Sequence, residues 1–292
     1  MKQAILVTAY KDIDRLKILT DLFDDDFSFY IHIDKKSRIA KEEIELLENA
    51  KNVHFISREY NVNWSGFNHT KCILLLSKEA LKDKRIKYIH LISGQDYPIK
   101  SCQEIKDLLV KKNGAEFLAH FELPTKNWPA SNGGLNRVDY FHLYNLLNVK
   151  TKMGSKINSA FVKIQKKLHL KRNREHLPKL YGGWSWWTLS YPCLKYVIDY
   201  TEKNPLFFKR FEYTAMACEM YFQTIIMNSP FKKNVINNDL RYIVFNEGNP
   251  NPNILDESDY EGIVSSDAIF ARKIVYPASK KLIEKINSHI LK

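Results

Sequence analysis

No run of the 292-residue sequence approaches the roughly 18 to 20 apolar residues that a membrane-crossing helix requires. The opening MKQAILVTAYKD is too short and too soon charged for a secretory signal, so a cytoplasmic chain is expected. Cysteine is scarce. Cys72, Cys102, Cys193 and Cys218 stand far apart with no CxxC pair, which removes the usual marks of a zinc site or a disulfide scaffold and leaves reduced, mostly buried thiols. There is no GxSxG elbow and no protease-like spacing of Cys and His. The nine histidines, among them His32, His54, His69, His90, His120 and His142, lie in apolar context and read as structural. Internal repeats and low-complexity tracts are also missing.

Acid is short relative to base, giving a net charge of +12. A surface of that sign attracts nucleic acid, anionic lipid or phosphorylated small molecules. No zinc-finger, RNP or helix-turn-helix signature accompanies the charge, so nucleic acid is disfavoured as a partner. Much of the excess lies in residues 147–175, which carry no acid before Glu175. Within it Ile157, Phe161, Ile164, Leu168 and Leu170 recur at nearly helical spacing. This basic amphipathic segment is either a solvated helix flank or a contact with an anionic membrane face or a charged glycan carrier.

What the sequence does have is a regular first half. QAILVTAY, FSFYIHID, NVHFIS and KYIHLIS read as strands, and DRLKILTDLFDD, KEEIELLENA and FNHTKCILLLSKEALKD between them as helices. Strands separated by helices of this length predict a parallel sheet covered on both faces, with a ligand crevice beyond the carboxyl ends of its strands. Three strand ends are polar: Thr8-Ala9-Tyr10, Asp34-Lys35-Lys36-Ser37 and Ser93-Gly94-Gln95-Asp96. The later pattern is looser. SCQEIKDLLVKKNG reads as a helix, AEFLAHFEL as one strand, NWPASNGGLNRVDY as a loop punctuated by Gly133 and Gly134, CLKYVIDYTEKN as a helix, and ACEMYFQTIIMNSPF as a helix with Glu219 near its start. NEGNPNPNILDESDYEGI reads as a polar loop.

Several residues stand out chemically. Asp24-Asp25-Asp26 is the only early run of acids that could hold a divalent ion, but it precedes a strand, on the side opposite the crevice, and reads as a solvated turn. Without a metal, fixed cations must neutralise a leaving diphosphate, a role that suits Arg272 and Lys273 in FARKI. Glu219 could serve as a general base, and equally as a carboxylate stabilising a helix start. Trp184, Trp186 and Trp187 cannot all point inward if they lie on a strand, so at least one should line a cavity or surface.

In order along the chain, YIHIDKKS (30–37), VNWSGFN (62–68), LISGQDYPIKS (91–101), GGWSWWTLS (182–190), CEMYFQTIIMNSPF (218–231) and FARKI (270–274) resemble the core-2/I-branching glycosyltransferase family. The resemblance implies one compact GT-A-like α/β domain of Rossmann type, a mostly parallel sheet with helices on both faces. Residues 1–120 would form its nucleotide-sugar half and 121–292 its acceptor-binding and catalytic half. It implies a UDP-sugar donor, a glycan or lipid-linked saccharide acceptor, and inversion without an essential metal or other cofactor. Carried over by position, Glu219 matches the base. Asp34, Val62 and Trp64 match the nucleoside pocket, Asp96 lies near the donor, Trp186 falls on the sugar-site aromatic, and Arg272 with Lys273 match the diphosphate cations. Two positions depart from the pattern. Cys218 replaces an Asp often found before the base, and Ser185 replaces the Asp of xylosyltransferase-like members, which argues against a xylose donor. The implied activity is transfer of N-acetylglucosamine or a related sugar in surface polysaccharide synthesis, with a non-catalytic glycan- or nucleotide-binding module as the alternative.

Overall fold

The computed structural model describes residues 1–246 and 251–290, without the Ile290 side chain. In chain order the first half runs β1 (Gln3–Ala9), α1 (Ile13–Asp21), β2 (Phe27–Ile33), α2 (Lys41–Glu48), β3 (Val53–Ser57), α3 (Phe67–Ala80), β4 (Tyr88–Ser93), β5 (Asp96–Pro98) and α4 (Cys102–Lys111). There follow β6 (Glu116–Leu118), β7 (Phe121–Glu122), α5 (Leu135–Asp139), α6 (Lys152–Lys167), β8 (Tyr181–Gly182), β9 (Trp187–Ser190), α7 (Tyr191–Lys203), α8 (Pro205–Phe211) and α9 (Tyr221–Met227). The chain closes with β10 (Val235–Ile236), β11 (Arg241–Ile243), α10 (Tyr260–Val264), β12 (Phe270–Arg272) and α11 (Lys280–Ile290).

Among the described residues the main sheet has seven strands in the order β10-β6-β9-β4-β1-β2-β3. Only β9 runs against the rest. This is the mostly parallel, doubly covered sheet that the alternation of strands and helices predicts. The alternation within β1 shows why both faces are covered. Ala4 and Leu6 pack with α3, α7, α8 and α9, while Ile5 and Val7 pack with α1, α4, α10 and α11. Side chains alternate along a strand, so a strand apolar at every position must be buried on both sides. The imidazole buried in that core is paired at both nitrogens: His90 bonds Thr188 at 2.9 Å and Gln3 at 2.7 Å. All four cysteines are free.

A smaller sheet, β11-β12-β5, is laid beside the main one. In it β12 pairs antiparallel with β5, and Arg272 stands directly opposite Asp96.

Four local expectations are corrected. The strand expected over AEFLAHFEL is split into β6 and β7, because the His120 amide leaves the ladder and donates instead to Asn237 Oδ1 at 2.7 Å. The stretch 127–140 is not all loop: a 3-10 turn at Pro129–Ser131 and α5 lie within it, and α5 is preceded by Gly134, whose φ of 95° suits glycine. The helix expected to carry Glu219 begins later, at Tyr221, so Glu219 sits in a preceding 3-10 turn, Ala217–Glu219. The polar loop expected from Asn246 lies partly outside the described residues, and its end is helical, with a 3-10 turn at Glu257–Asp259 leading into α10.

Candidate active site

The sheet order places the crevice. From β1 the chain proceeds to β2 and β3 on one side, then returns to β4 on the other, so connections diverge between β1 and β4. Ligands of open α/β sheets bind at such a switch point, outside the carboxyl ends of the strands. Thr8, Asp34 and Ser93 all stand on that edge, at or just past the ends of β1, β2 and β4. Strand β9 enters from the same edge, since Trp187 pairs with Leu91, and so delivers Ser185 and Trp186 to it.

The three tryptophans do divide, although only Trp187 lies on β9 and the other two stand in the loop before it. Trp187 is fully buried, Trp184 is exposed and stacks on Phe245, and Trp186 lies between these extremes, under the guanidinium of Arg272 at 4.5 Å. Arg272 is fixed twice more. Its Nη1 donates to Ser93 Oγ at 2.6 Å and to Asp96 Oδ2 at 3.0 Å. Asp96 Oδ2 also accepts from the Ser93 amide and hydroxyl, at 2.7 and 2.5 Å, while its buried Oδ1 has no hydrogen-bond partner. Asp96 is therefore more than a turn residue: it anchors Arg272 across the strand pair.

Lys273 is half-buried and makes no side-chain ion pair among the described residues. Burial pushes its pKa down, and the charges of Arg272, Lys150 and Lys11 push the same way. Four cations thus share one region of field at the crevice, a pattern that attracts a polyanion. His69, bonded to Thr8 Oγ1 at 3.2 Å, feels this field too. Burial, then the charges of His32 and Arg272, bring its pKa down to about 4.

Glu219 lies on the adjoining wall. Its carbonyl accepts from the Gly183 amide at 2.9 Å, and its turn is tied to the loop after Trp64 by the Met216 amide, which donates to Ser65 O at 3.0 Å. Only glycine fits at 183, since a Cβ there would lie 1.9 Å from Ala119 O. The Glu219 carboxylate accepts from Arg137 Nη1 at 2.7 Å, and 13% of each side chain remains exposed. Arg137 is itself stacked on Trp128, 3.5 Å from the ring centroid. Burial raises the Glu219 pKa, and the charge and hydrogen bond of Arg137 oppose that rise. The result is a carboxylate held by one cation and largely removed from water, with a small part of its side chain still exposed. From Gly183, which touches Glu219, to Trp186, which touches Arg272, three residues span at most about 11 Å.

The remaining expected residues gather around Asp34. Its Oδ1 accepts from the Lys36 amide at 3.1 Å and the Val62 amide at 3.0 Å, so it holds the loop that presents Trp64. Trp64 is 47% exposed, and Lys150 Nζ stands 5.7 Å from its ring centroid. Ser185 and Cys218, the two departures from the family pattern, meet each other: Ser185 Oγ donates to Cys218 Sγ at 3.2 Å. Asp24, Asp25 and Asp26 pair instead with Lys106, Lys51 and the terminal amine, on the opposite edge. Among the described residues no three His, Cys, Asp or Glu side chains gather as a metal site. A groove of about 710 Å³ lined by Lys2, Arg85, Lys87 and Glu116 lies on that opposite edge too and contains none of the expected residues.

Arg137, Trp128 and Lys150 were not singled out by the sequence. Arg137 follows Gly133-Gly134 without periodicity, and only the burial of Glu219 gives it meaning.

Comparison with known proteins bears on these residues. A family model described as Core-2/I-Branching enzyme matches residues 4–263. Xylosyltransferase 2 of Rattus norvegicus is 24% identical over 309 residues, covering 98% of this chain and 33% of that protein. Xylosyltransferase oxt of Drosophila pseudoobscura pseudoobscura is 21% identical over 232 residues, covering 77% of this chain and 24% of that protein. The chain thus spans about a third or less of the length of these curated relatives. Among solved structures, apo mouse xyloside xylosyltransferase 1 aligns over 92% of this chain and 97% of its own, with a TM-score of 0.39 and 11% identity. S. aureus TarS 1-349 in complex with UDP-GlcNAc aligns over 41% of this chain and 34% of its own, with a TM-score of 0.30 and 20% identity. At these TM-scores no residue is transferred from either structure. The family match takes in every expected site residue except Arg272 and Lys273, and the chain belongs to the Core-2/I-branching enzyme family.

Proposed function

We infer that the chain is an inverting glycosyltransferase that moves a sugar from a UDP-sugar to a glycan hydroxyl. The observation that carries this is the Glu219 carboxylate, largely buried and oriented by Arg137, in a turn whose backbone bonds Gly183 three residues before Trp186, the ring under Arg272. A general base needs a carboxylate within reach of the acceptor proton. Glu219 takes that proton as the acceptor oxygen attacks the anomeric carbon from the face opposite the diphosphate. The C–O bond to the diphosphate breaks, the electron pair leaves with it, and an α-linked donor becomes a β-linked product.

Arg272, Lys273 and Lys150 stabilise the charge that grows on the leaving group. Fixed cations in a site shielded from water are worth most at that step. On this reading the reaction needs no divalent ion. Asp34, Val62 and Trp64 hold the nucleoside, with Trp64 offering an exposed aromatic face to the base.

The sugar proposed is N-acetylglucosamine or a related hexose, because Ser185 stands where an acid is found in xylosyltransferase-like chains. The names of the curated relatives favour xylose as a second reading. The acceptor proposed is a glycan or lipid-linked saccharide of surface polysaccharide synthesis, on the cytoplasmic side of the membrane.

The test is turnover with a panel of UDP-sugars. Glu219→Gln should lower turnover by about 10² or more, the scale of a general base, while donor binding survives and EDTA leaves the parent enzyme active. Near-normal turnover in the variant would remove Glu219 as base. EDTA inhibition reversed by Mn would refute the metal-free mechanism, and donor binding without any turnover in the parent would favour a binding module.

A further inference from the structure

Helix α6 leaves its apolar stripe uncovered, on the flank beside the face that packs on the body. Gly154, Asn158 and Gln165 are its buried residues, and two of these are polar. Asn158 Oδ1 accepts the Leu143 amide at 2.9 Å. Gln165 Oε1 accepts the Phe141 amide at 2.8 Å, and its Nε2 donates to Phe141 O at 2.9 Å. Meanwhile Met153, Ile157, Ile164 and Leu168 are 72, 45, 56 and 59% exposed. At 3.6 residues per turn these four fall within an arc of roughly 60°. The expected member Phe161 turns toward the body instead, and Met153 takes its place on the stripe.

A solvated flank buries its apolar residues against the body, whereas α6 buries Gly154, Asn158 and Gln165 and leaves the stripe uncovered. Beyond the stripe, on the side away from the body, come Lys152, Lys156, Lys163 and Lys167. None of these has an ion pair among the described residues. An apolar stripe edged by unpaired lysines suits an interface that is apolar below and anionic at its rim. A second copy of the chain would bring lysine edge against lysine edge, so charge selects an anionic partner over self-association.

We propose that α6 is the surface by which the protein docks on an anionic lipid bilayer, with Met153, Ile157, Ile164 and Leu168 entering the headgroup boundary and the lysines meeting lipid phosphates. The helix is joined to the crevice rim. Lys150, just before it, stands over Trp64, and Asn145 in the loop it braces accepts the Asn68 amide at 3.0 Å through Oδ1 and a bond from Asn63 Nδ2 at 3.1 Å through its carbonyl. Docking would therefore set the crevice beside the bilayer, where a lipid-linked acceptor presents its sugar. That last consequence rests on the proposed transferase activity, whereas the docking itself does not.

The test is sedimentation of the full chain with vesicles of phosphatidylcholine alone and of phosphatidylcholine mixed with phosphatidylglycerol. Binding is expected only to the mixed vesicles, weakening as salt is raised. The triple variant Ile157→Ser, Ile164→Ser, Leu168→Ser should lose binding while keeping a Tm close to that of the parent, because these side chains are 45 to 59% exposed. The triple variant Lys156→Gln, Lys163→Gln, Lys167→Gln should weaken binding by about fivefold per lysine, roughly 100-fold together, at about 1 kcal/mol for each charge near the surface. Failure of the parent to bind mixed vesicles, or unchanged binding by the serine variant, would overturn the proposal. So would a concentration-dependent dimer by light scattering that the serine substitutions abolish, since the stripe would then be covered by a second copy. Vesicle binding is read without any sugar transfer, so its failure and that of the transferase reading are separable.

Discussion

The guanidinium of Arg137 grips the carboxylate of Glu219 at 2.7 Å although 82 residues separate them in the chain. Burial pushes the Glu219 pKa up and Arg137 holds it down. If Glu219 must be ionised to act, activity falls on the acid side, at a pH above the ordinary glutamate value. Arg137→Gln removes the opposing charge, so this acid limb should move to higher pH, with kcat/KM near neutrality down by about tenfold or more. Arg137→Lys should restore part of the shift. A pH–rate profile reads it, and an unmoved limb would exclude Arg137 as a positioning residue.

Neighbouring cations should behave differently. Asp96 is wholly buried and leans on Arg272. Arg272→Ala strands that carboxylate, and breaking such a buried pair costs about 3–5 kcal/mol, so thermal melting should show a large loss of stability. Lys273 anchors no acid among the described residues. Lys273→Ala should melt like the parent while the KM for donor rises roughly 10- to 100-fold, the worth of a hydrogen bond to a charged group. Equal effects on donor KM and Tm in both variants would contradict this division.

Ser185 and Cys218 form a neutral contact beside Glu219. Burial, then the Glu219 charge, pushes the Cys218 thiol up to about 12, so the thiol stays protonated. Ser185→Asp would place a second carboxylate near the first. The expected outcome is a further alkaline move of the acid limb and a loss of about 1–3 kcal/mol in stability, the usual range for a poorly paired buried polar group. Chemical denaturation and the same pH–rate profile measure both. A variant that matches the parent in each would show that the new acid escapes to solvent.

Stability should depend on pH through buried imidazoles. Burial brings His32 down to about 4 and His90 to about 3, below the ordinary 6.5. Their contribution is complete above pH 6.5 and is lost as pH falls through the folded values. Each imidazole supplies a slope of about 1.4 kcal/mol per pH unit in that window. Glu116, raised by burial to about 7 from 4.5, works the other way between those values. Urea denaturation should therefore show net destabilisation from pH 6.5 downward, and Glu116→Gln should steepen it. A flat profile would contradict the burial of these groups.

Much of the fold was legible in the sequence because its cause is local. Consecutive apolar residues such as Ala4–Val7 in β1 and Leu91–Ile92 in β4 make strands buried on both faces, and the helical spacing between strands makes the sheet parallel. The polar strand ends, with Asp34 and Asp96, followed from that order. That at least one tryptophan is exposed was expected from strand alternation, but Trp184 and Trp186 lie in the loop before β9, so the loop sets their directions. The match to the family segments supplied Glu219, Arg272 and Lys273, which no periodicity marks.

The tertiary structure alone decided how those residues are held. Arg272 faces Asp96 only because β12 and β5 align in that register, and Arg137 reaches Glu219 only because α5 forms after two glycines in a stretch with no repeating pattern. Periodicity likewise identified the apolar stripe of α6 but not its direction. An amphipathic pattern records that two sides of a helix differ, whereas the partners of Asn158 and Gln165, distant in space from any sequence repeat, determine which side meets the protein.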